Sequence, residues 1–103
     1  MQLSKKGAGT WTITFEVSVA NARNSDVFIQ AEDMNADTIN LECQLDDSFN
    51  NASINGTTVQ LSATNNHIPV NMPGIYRLNY TGSESNIYVR VCGLNDGFGS
   101  VTP

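Results

Sequence analysis

From residue 10 to residue 20 the chain alternates without a break: Trp11, Ile13, Phe15, Val17 and Val19 on one phase, Thr12, Thr14, Glu16 and Ser18 on the other. A period of two sends the first set to one side of a pleated strand and the second set to the other. The aromatic and β-branched side chains suit a half-buried sheet and lose rotamer freedom in a helix. The segment therefore reads as a strand with one face in a core. The same reading gives strands near residues 26–31, 38–45, 57–63, 74–80 and 86–93, the second of these with Ile39, Leu41, Cys43 and Leu45 in phase. Turn chemistry separates them: residues 21–25 after the first strand, Asn55-Gly56 as a type I′ hairpin flanked by Ile54 and Val59, Pro73-Gly74, and Thr81-Gly82-Ser83. One helical rival competes at residues 26–35, where Val27, Gln30, Ala31 and Met34 fall at helical spacing. The pattern as a whole predicts an all-β fold, an antiparallel β-sandwich, jelly-roll-like or immunoglobulin-like, with six to eight strands.

At 103 residues the chain is one domain, and it is large enough to bury a core without metal or disulfide staples. The organisation expected is an N-terminal arm over residues 1–9, with Gly7-Ala8-Gly9 as a flexible joint, a β-sandwich over 10–93, and a C-terminal arm over 94–103. Both arms read as segments held by a larger assembly. Residues 1–7 place no apolar stretch behind Lys5 and Lys6, so neither an export signal nor a membrane span is expected, and no membrane partner.

Five Lys and Arg stand against ten Asp and Glu, a net charge of −5, and no basic run is present to neutralise phosphates, so nucleic acid is not an expected partner. Only 15% of residues are charged, and Asn, Ser and Thr supply 31 of the 103, so the polar surface is mostly neutral. Three N-glycosylation sequons, at Asn51, Asn55 and Asn79, are what this composition produces by chance. Cys43 falls in phase with Ile39, Leu41 and Leu45, whereas Cys92 falls opposite to Ile87, Val89 and Val91. If both aliphatic faces point inward the two sulfurs diverge, so two free thiols are expected, with Cys43 packing as a small hydrophobe.

Groups that could carry catalysis are sparse. The single histidine, His67, cannot build a zinc site with two distant cysteines, and no Gly-x-Ser-x-Gly elbow is present. No enzymatic activity and no cofactor are expected. Asp33, Asn35 and Asp37 reproduce the first three alternate ligands of a calcium loop, but Thr38 stands where the EF-hand needs Gly and Gln44 where it needs a bidentate carboxylate. A calcium loop of another kind and a solvated turn both remain open there.

Tyr88 and Arg90 sit out of phase with the aliphatic residues of their strand, which makes them a candidate contact patch, since both types are enriched at interface hot spots. Trp11 is in phase with the core and reads as packing rather than as a sugar platform. Pro73-Gly74-Ile75-Tyr76-Arg77-Leu78-Asn79-Tyr80-Thr81-Gly82, continuing through Asn86-Ile87-Tyr88-Val89-Arg90-Val91, resembles small β-sandwich virion proteins of tailed bacteriophages. The opening residues 9–16 and Val27-Phe28-Ile29-Gln30-Ala31 fit the same pattern. The resemblance implies a non-enzymatic head decoration, head-fibre or tail-accessory subunit, assembled as a symmetric oligomer with a trimer favoured, docked on other virion proteins such as the major capsid protein, and present in the host cytoplasm before assembly. The contact residues expected are Leu3, Lys5 and Lys6 in the first arm, Phe98 in the second, and Tyr88 with Arg90. Two other classes compete: a carbohydrate-binding β-sandwich module, including a tail-associated receptor-binding role, and an adhesin or pilus subunit with residues 1–9 as a donor strand.

Overall fold

The computed structural model describes residues 1–54 and 56–103. The alternating segment forms β2 (Gly9–Val17), and Trp11, Ile13, Phe15 and Val17 are buried along its inner face. Its long partner is β10 (Gly74–Gly82), antiparallel in a nine-residue register from Gly74 opposite Val17 to Gly82 opposite Gly9. This register places Tyr80 directly across from Trp11 and Tyr76 across from Phe15, with ring centroids 5.3 and 5.5 Å apart. Cross-strand aromatic pairs of this kind add to the area they bury. β4 (Ile39–Leu45) pairs on the other side of β10, β12 (Gly99–Thr102) on the other side of β2, and β5 (Ser48–Asn51) and β8 (Gln60–Leu61) both flank β4, completing a six-stranded sheet.

The second sheet has four strands in the order β1 (Leu3–Lys6), β11 (Tyr88–Cys92), β3 (Phe28–Glu32) and β9 (His67–Pro69), all antiparallel. Val89 and Val91 of β11 and Ile29 and Ala31 of β3 face the first sheet and are fully buried. The two sheets pack face to face as an all-β sandwich, the class the alternation predicts. Among the described residues there are twelve strands rather than six to eight, because short polar edge strands add to the six read from the pattern.

Three local differences have physical causes. Residues 18–25 are not a continuation of the first strand followed by a turn: Ser18 caps a short helix, α1 (Val19–Asn24), its hydroxyl accepting from the Asn21 backbone N–H at 3.1 Å, and Ser25 closes the helix at φ 56°. The region 57–63 is split at Val59. There the Leu41 N–H donates to the Val59 carbonyl, Ala52 N–H to the Leu41 carbonyl, and Val59 N–H to the Ala52 carbonyl, all at 2.8–2.9 Å. This three-way closure ends the ladder and lets a small hairpin, β6 (Ser53–Ile54) with β7 (Thr57–Thr58), leave the sheet. The turn expected at Asn55-Gly56 has its first residue outside the described residues. The helical rival at residues 26–35 gives way to β3, since Val27, Ile29 and Ala31 are all buried at period two.

The segments read as arms are strands of the sandwich itself. β1 pairs with β11 from Leu3 opposite Val91 to Lys6 opposite Tyr88, and β12 pairs with β2 from Gly99 opposite Phe15 to Thr102 opposite Thr12. Edge pairing supplied by the chain's own strands holds both ends. Gly93 links β11 to the last segment at φ +86°, and a Cβ there would collide with the Asp26 carbonyl, so both the backbone conformation and the space require glycine. No helix among the described residues is long and apolar enough to cross a membrane.

Candidate functional site

The outer face of the four-stranded sheet gathers the side chains that point away from the core on β1, β11, β3 and β9. Registers fix its rows: Lys6, Tyr88 and Glu32 in one, Ser4, Arg90, Gln30 and His67 in the next, Cys92, Phe28 and Pro69 in a third. Arg90 is at the centre. Its Nη2 donates to Glu32 Oε1 at 2.8 Å, its guanidinium carbon lies 5.8 Å from the Tyr88 ring centroid, and its Nε is shut off from solvent without an acceptor among the described residues. The bond to Glu32 holds the planar cation in place beside the Tyr88 ring, an arrangement that adds a cation–π attraction.

The neighbouring rows are also braced. His67 Nδ1 donates to Gln30 Oε1 at 2.8 Å, and the imidazole lies tilted on the Phe28 ring with centroids 5.2 Å apart. Cys92 Sγ is 3.6 Å from Gln2 Oε1. The result is a sheet face carrying three rings and one guanidinium in two braced groups, Tyr88–Arg90–Glu32 and Phe28–His67–Gln30. Such a surface loses little side-chain entropy when it is covered.

The face unites Tyr88, Arg90 and Lys6 among the residues expected to make contacts. Lys5 lies at its margin, half-buried on the other side of β1 opposite Val89, and Leu3 turns inward against the core. Phe98 is elsewhere: it lies beside β12 at the edge of the other sheet, where with Thr14, Glu16, Ile75 and Ser100 it lines an open depression of about 290 Å³. Phe28, Gln30, Glu32 and His67 belong to the face and are not among the contact residues expected from the sequence. For the first three, the parity that marks Tyr88 was available, because they alternate with Val27, Ile29 and Ala31; nothing local places His67 beside them.

The acidic loop after β3 is braced internally. The backbone N–H of Asn35 donates to one oxygen of Glu84 at 2.7 Å, and that of Asp37 donates to the other. Asp37 in turn accepts from the Tyr80 hydroxyl at 2.7 Å, and that hydroxyl accepts from the Glu84 N–H at 3.1 Å. Burial, reinforced by the bond to Asp37, pushes the Tyr80 phenol above its ordinary pKa of 10.0. Asp33, at φ 59°, starts the turn. Among the described residues no group of three or more His, Cys, Asp or Glu is arranged to hold a metal ion. Cys43 and Cys92 are free thiols on different sheets, Cys43 packed against the core and Cys92 on the outer face.

No family model, curated protein or solved structure matches the chain.

Proposed function

We propose that this chain is a non-enzymatic structural subunit of a bacteriophage virion, a capsid decoration or head-fibre protein that binds through the outer face of its four-stranded sheet. The observation that carries the binding role is the bracing of Tyr88 with Arg90 and Glu32, and of Phe28 with His67 and Gln30, side by side on the outer face of one sheet. Solvation alone does not need three rings and a guanidinium ordered on the wet side of a sheet. The virion assignment rests on the sequence resemblance, whose residues run along β10 and into β11 and supply the buried Tyr76, Leu78, Tyr80, Val89 and Val91. A bound subunit stabilises its shell by mass action, by about 2.7 kcal/mol per site when the free subunit is at 100 times its dissociation constant.

The direct test is density-gradient purification of particles from a phage lysate containing the chain, with quantitative mass spectrometry of the banded virions. A fixed copy number relative to the major capsid protein supports the reading, and the chain remaining wholly in the soluble fraction refutes it. A carbohydrate-binding role is favoured by one feature, the Phe28–His67 pair beside Gln30, which offers a stacking surface next to hydrogen-bonding groups. A glycan array distinguishes it: saturable binding lost in His67→Ala and Phe28→Ala, with no particle association, would replace the virion reading.

A further inference from the structure

Three connections that carry the chain between the sheets, residues 18–27, 70–73 and 93–98, share one end of the sandwich. The turn between β4 and β5 joins them there, since Tyr76 opposite Cys43 puts Leu45 level with Gly74. The large apolar residues that stand exposed among the described residues all lie at this end: Met1, Val19, Leu45, Met72 and Ile75, with 38% to 70% of their surface in water. Single exposed apolar residues scattered over a surface need no explanation, whereas a set gathered on one end marks a contact surface. The same end carries Glu16, Asp26, Asp46 and Asp47, which have no ion-pair or side-chain hydrogen-bond partner among the described residues. Arg23 is the one Lys or Arg of these loops, while Lys5 and Lys6 lie toward the opposite end, where β1 finishes.

A cavity of about 230 Å³ lies between the sheets here, lined by Leu41, Cys43 and Tyr76 from the six-stranded sheet and by Ile68, Val70 and Met72 from β9 and the loop after it. The Tyr76 hydroxyl donates to the Met72 carbonyl at 2.8 Å and so holds the rim. An apolar cavity of roughly 150 Å³ already accepts a benzene ring, so this one has room for the side chain of a phenylalanine, leucine or methionine. Met72 is the most exposed of the five apolar residues and also part of the cavity wall, so patch and cavity form one surface. Asp26, level with Asn71 beyond the Val27–Val70 bond, flanks the cavity on one sheet, and Asp46 with Asp47, shortly past Cys43, flanks it on the other. We infer that this end receives an extended segment of another protein in which one large apolar side chain is flanked by lysines or arginines. The apolar side chain enters the cavity as an anchor, and the cations meet Asp26, Asp46 and Asp47 at its margin. The charge selects this occupant: anionic lipids and acidic polymers are repelled. A second copy of the chain offers no exposed large apolar residue beside its own lysines, because all five lie on the acidic end. The surface is distinct from the Tyr88 and Arg90 face, so this contact goes beyond the particle-binding proposal and does not depend on it.

The experiment selects random short peptides, displayed on ribosomes, against the immobilised full chain at low salt. Enriched peptides are then measured by fluorescence anisotropy and mapped by methyl NMR, with circular dichroism to verify the folding of each variant. They are expected to share one Phe, Leu or Met flanked by Lys or Arg, and to shift the methyl resonances of Leu41, Ile68, Val70 and Met72. Asp46→Asn with Asp47→Asn should weaken their binding about tenfold at low salt and less at high salt, where the charges are screened. Leu45→Ser with Met72→Ser, at exposed positions that the fold tolerates, should weaken it about tenfold at either salt. No common pattern among the selected peptides, a pattern without cations, shifts confined to residues outside the cavity, or binding indifferent to both double variants would each overturn the contact. Vesicles of phosphatidylcholine form the second arm: retention of wild type on them that Leu45→Ser with Met72→Ser abolishes, with no peptide enriched, would overturn it by giving this end to a membrane. Particle association is measured separately, so failure of these tests leaves the proposed particle face standing, and failure of that proposal leaves this contact standing.

Discussion

Replacing Glu84 with alanine removes the carboxylate that ties the loop after β3 to the turn after β10. Both of its oxygens are used, one accepting from the Asn35 N–H at 2.7 Å and the other from the Asp37 N–H. Hydrogen bonds to a charged group contribute about 1.5–3 kcal/mol each when little water can replace them. Asn35 is exposed and Asp37 half-buried, so water recovers much of the loss, and the two together should be worth about 2 kcal/mol. For a domain of this size that corresponds to a fall in Tm of roughly 10 °C. Glu84→Gln keeps one acceptor oxygen without the charge and should lose about half as much. Thermal unfolding followed by circular dichroism reads both. Because Tyr80 bonds to Asp37 and to the Glu84 backbone, Tyr80→Phe and Glu84→Ala act on one network, and their combination should cost less than the sum of the single changes. A Glu84→Ala protein that melts with wild type, or a double variant whose loss is strictly additive, would refute the bracing argument.

Other consequences follow from the core and its ionisable groups. Leu78→Ala, at a fully buried position between β2 and β4, should cost about 3 kcal/mol in urea unfolding, whereas Asn79→Ala on the wet side of the same strand should cost less than about 1 kcal/mol. Burial raises the phenol pKa of both Tyr76 and Tyr80 above 10.0. The unfolded chain therefore releases these protons first, so the stability they contribute is complete below pH 10 and is lost as pH rises through the folded values; the urea midpoint should fall above pH 10, and less steeply in Tyr80→Phe. Gly93→Ala should destabilise strongly, since the added Cβ meets the Asp26 carbonyl at a positive φ, and recovery of soluble folded protein reads the effect.

Legibility of the fold tracks how many faces of each strand the core dictates. β2, β10 and β11 carry clear alternation because every second side chain over Trp11–Val17, Tyr76–Tyr80 and Val89–Val91 is buried, and β4 carries it at Ile39 and Leu41; each of these strands overlaps a stretch the pattern marks. The edge strands β1, β5 and β12 have no such signature. Ser48-Phe49-Asn50-Asn51 and Gly99-Ser100-Val101-Thr102 become strands because β4 and β2 offer unpaired edges, a property of distant partners rather than of their own residues. The same reason explains why residues 1–9 and 94–103 read as arms. In the candidate site, parity exposed Tyr88 and Arg90, but Glu32 and His67 reach Arg90 and Phe28 only through the pairing of β3 with β11 and β9, which no local pattern encodes.

The proposed role of the chain is to stabilise a phage particle by binding to it. Its most direct test is the temperature at which DNA becomes accessible to an intercalating dye in purified particles, compared between particles that carry the chain and particles assembled without it. Release is expected at a lower temperature when the chain is missing, with recovery when purified wild-type protein is added back and none when Tyr88→Ala/Arg90→Ala protein is added. Identical release temperatures with and without the chain would contradict it.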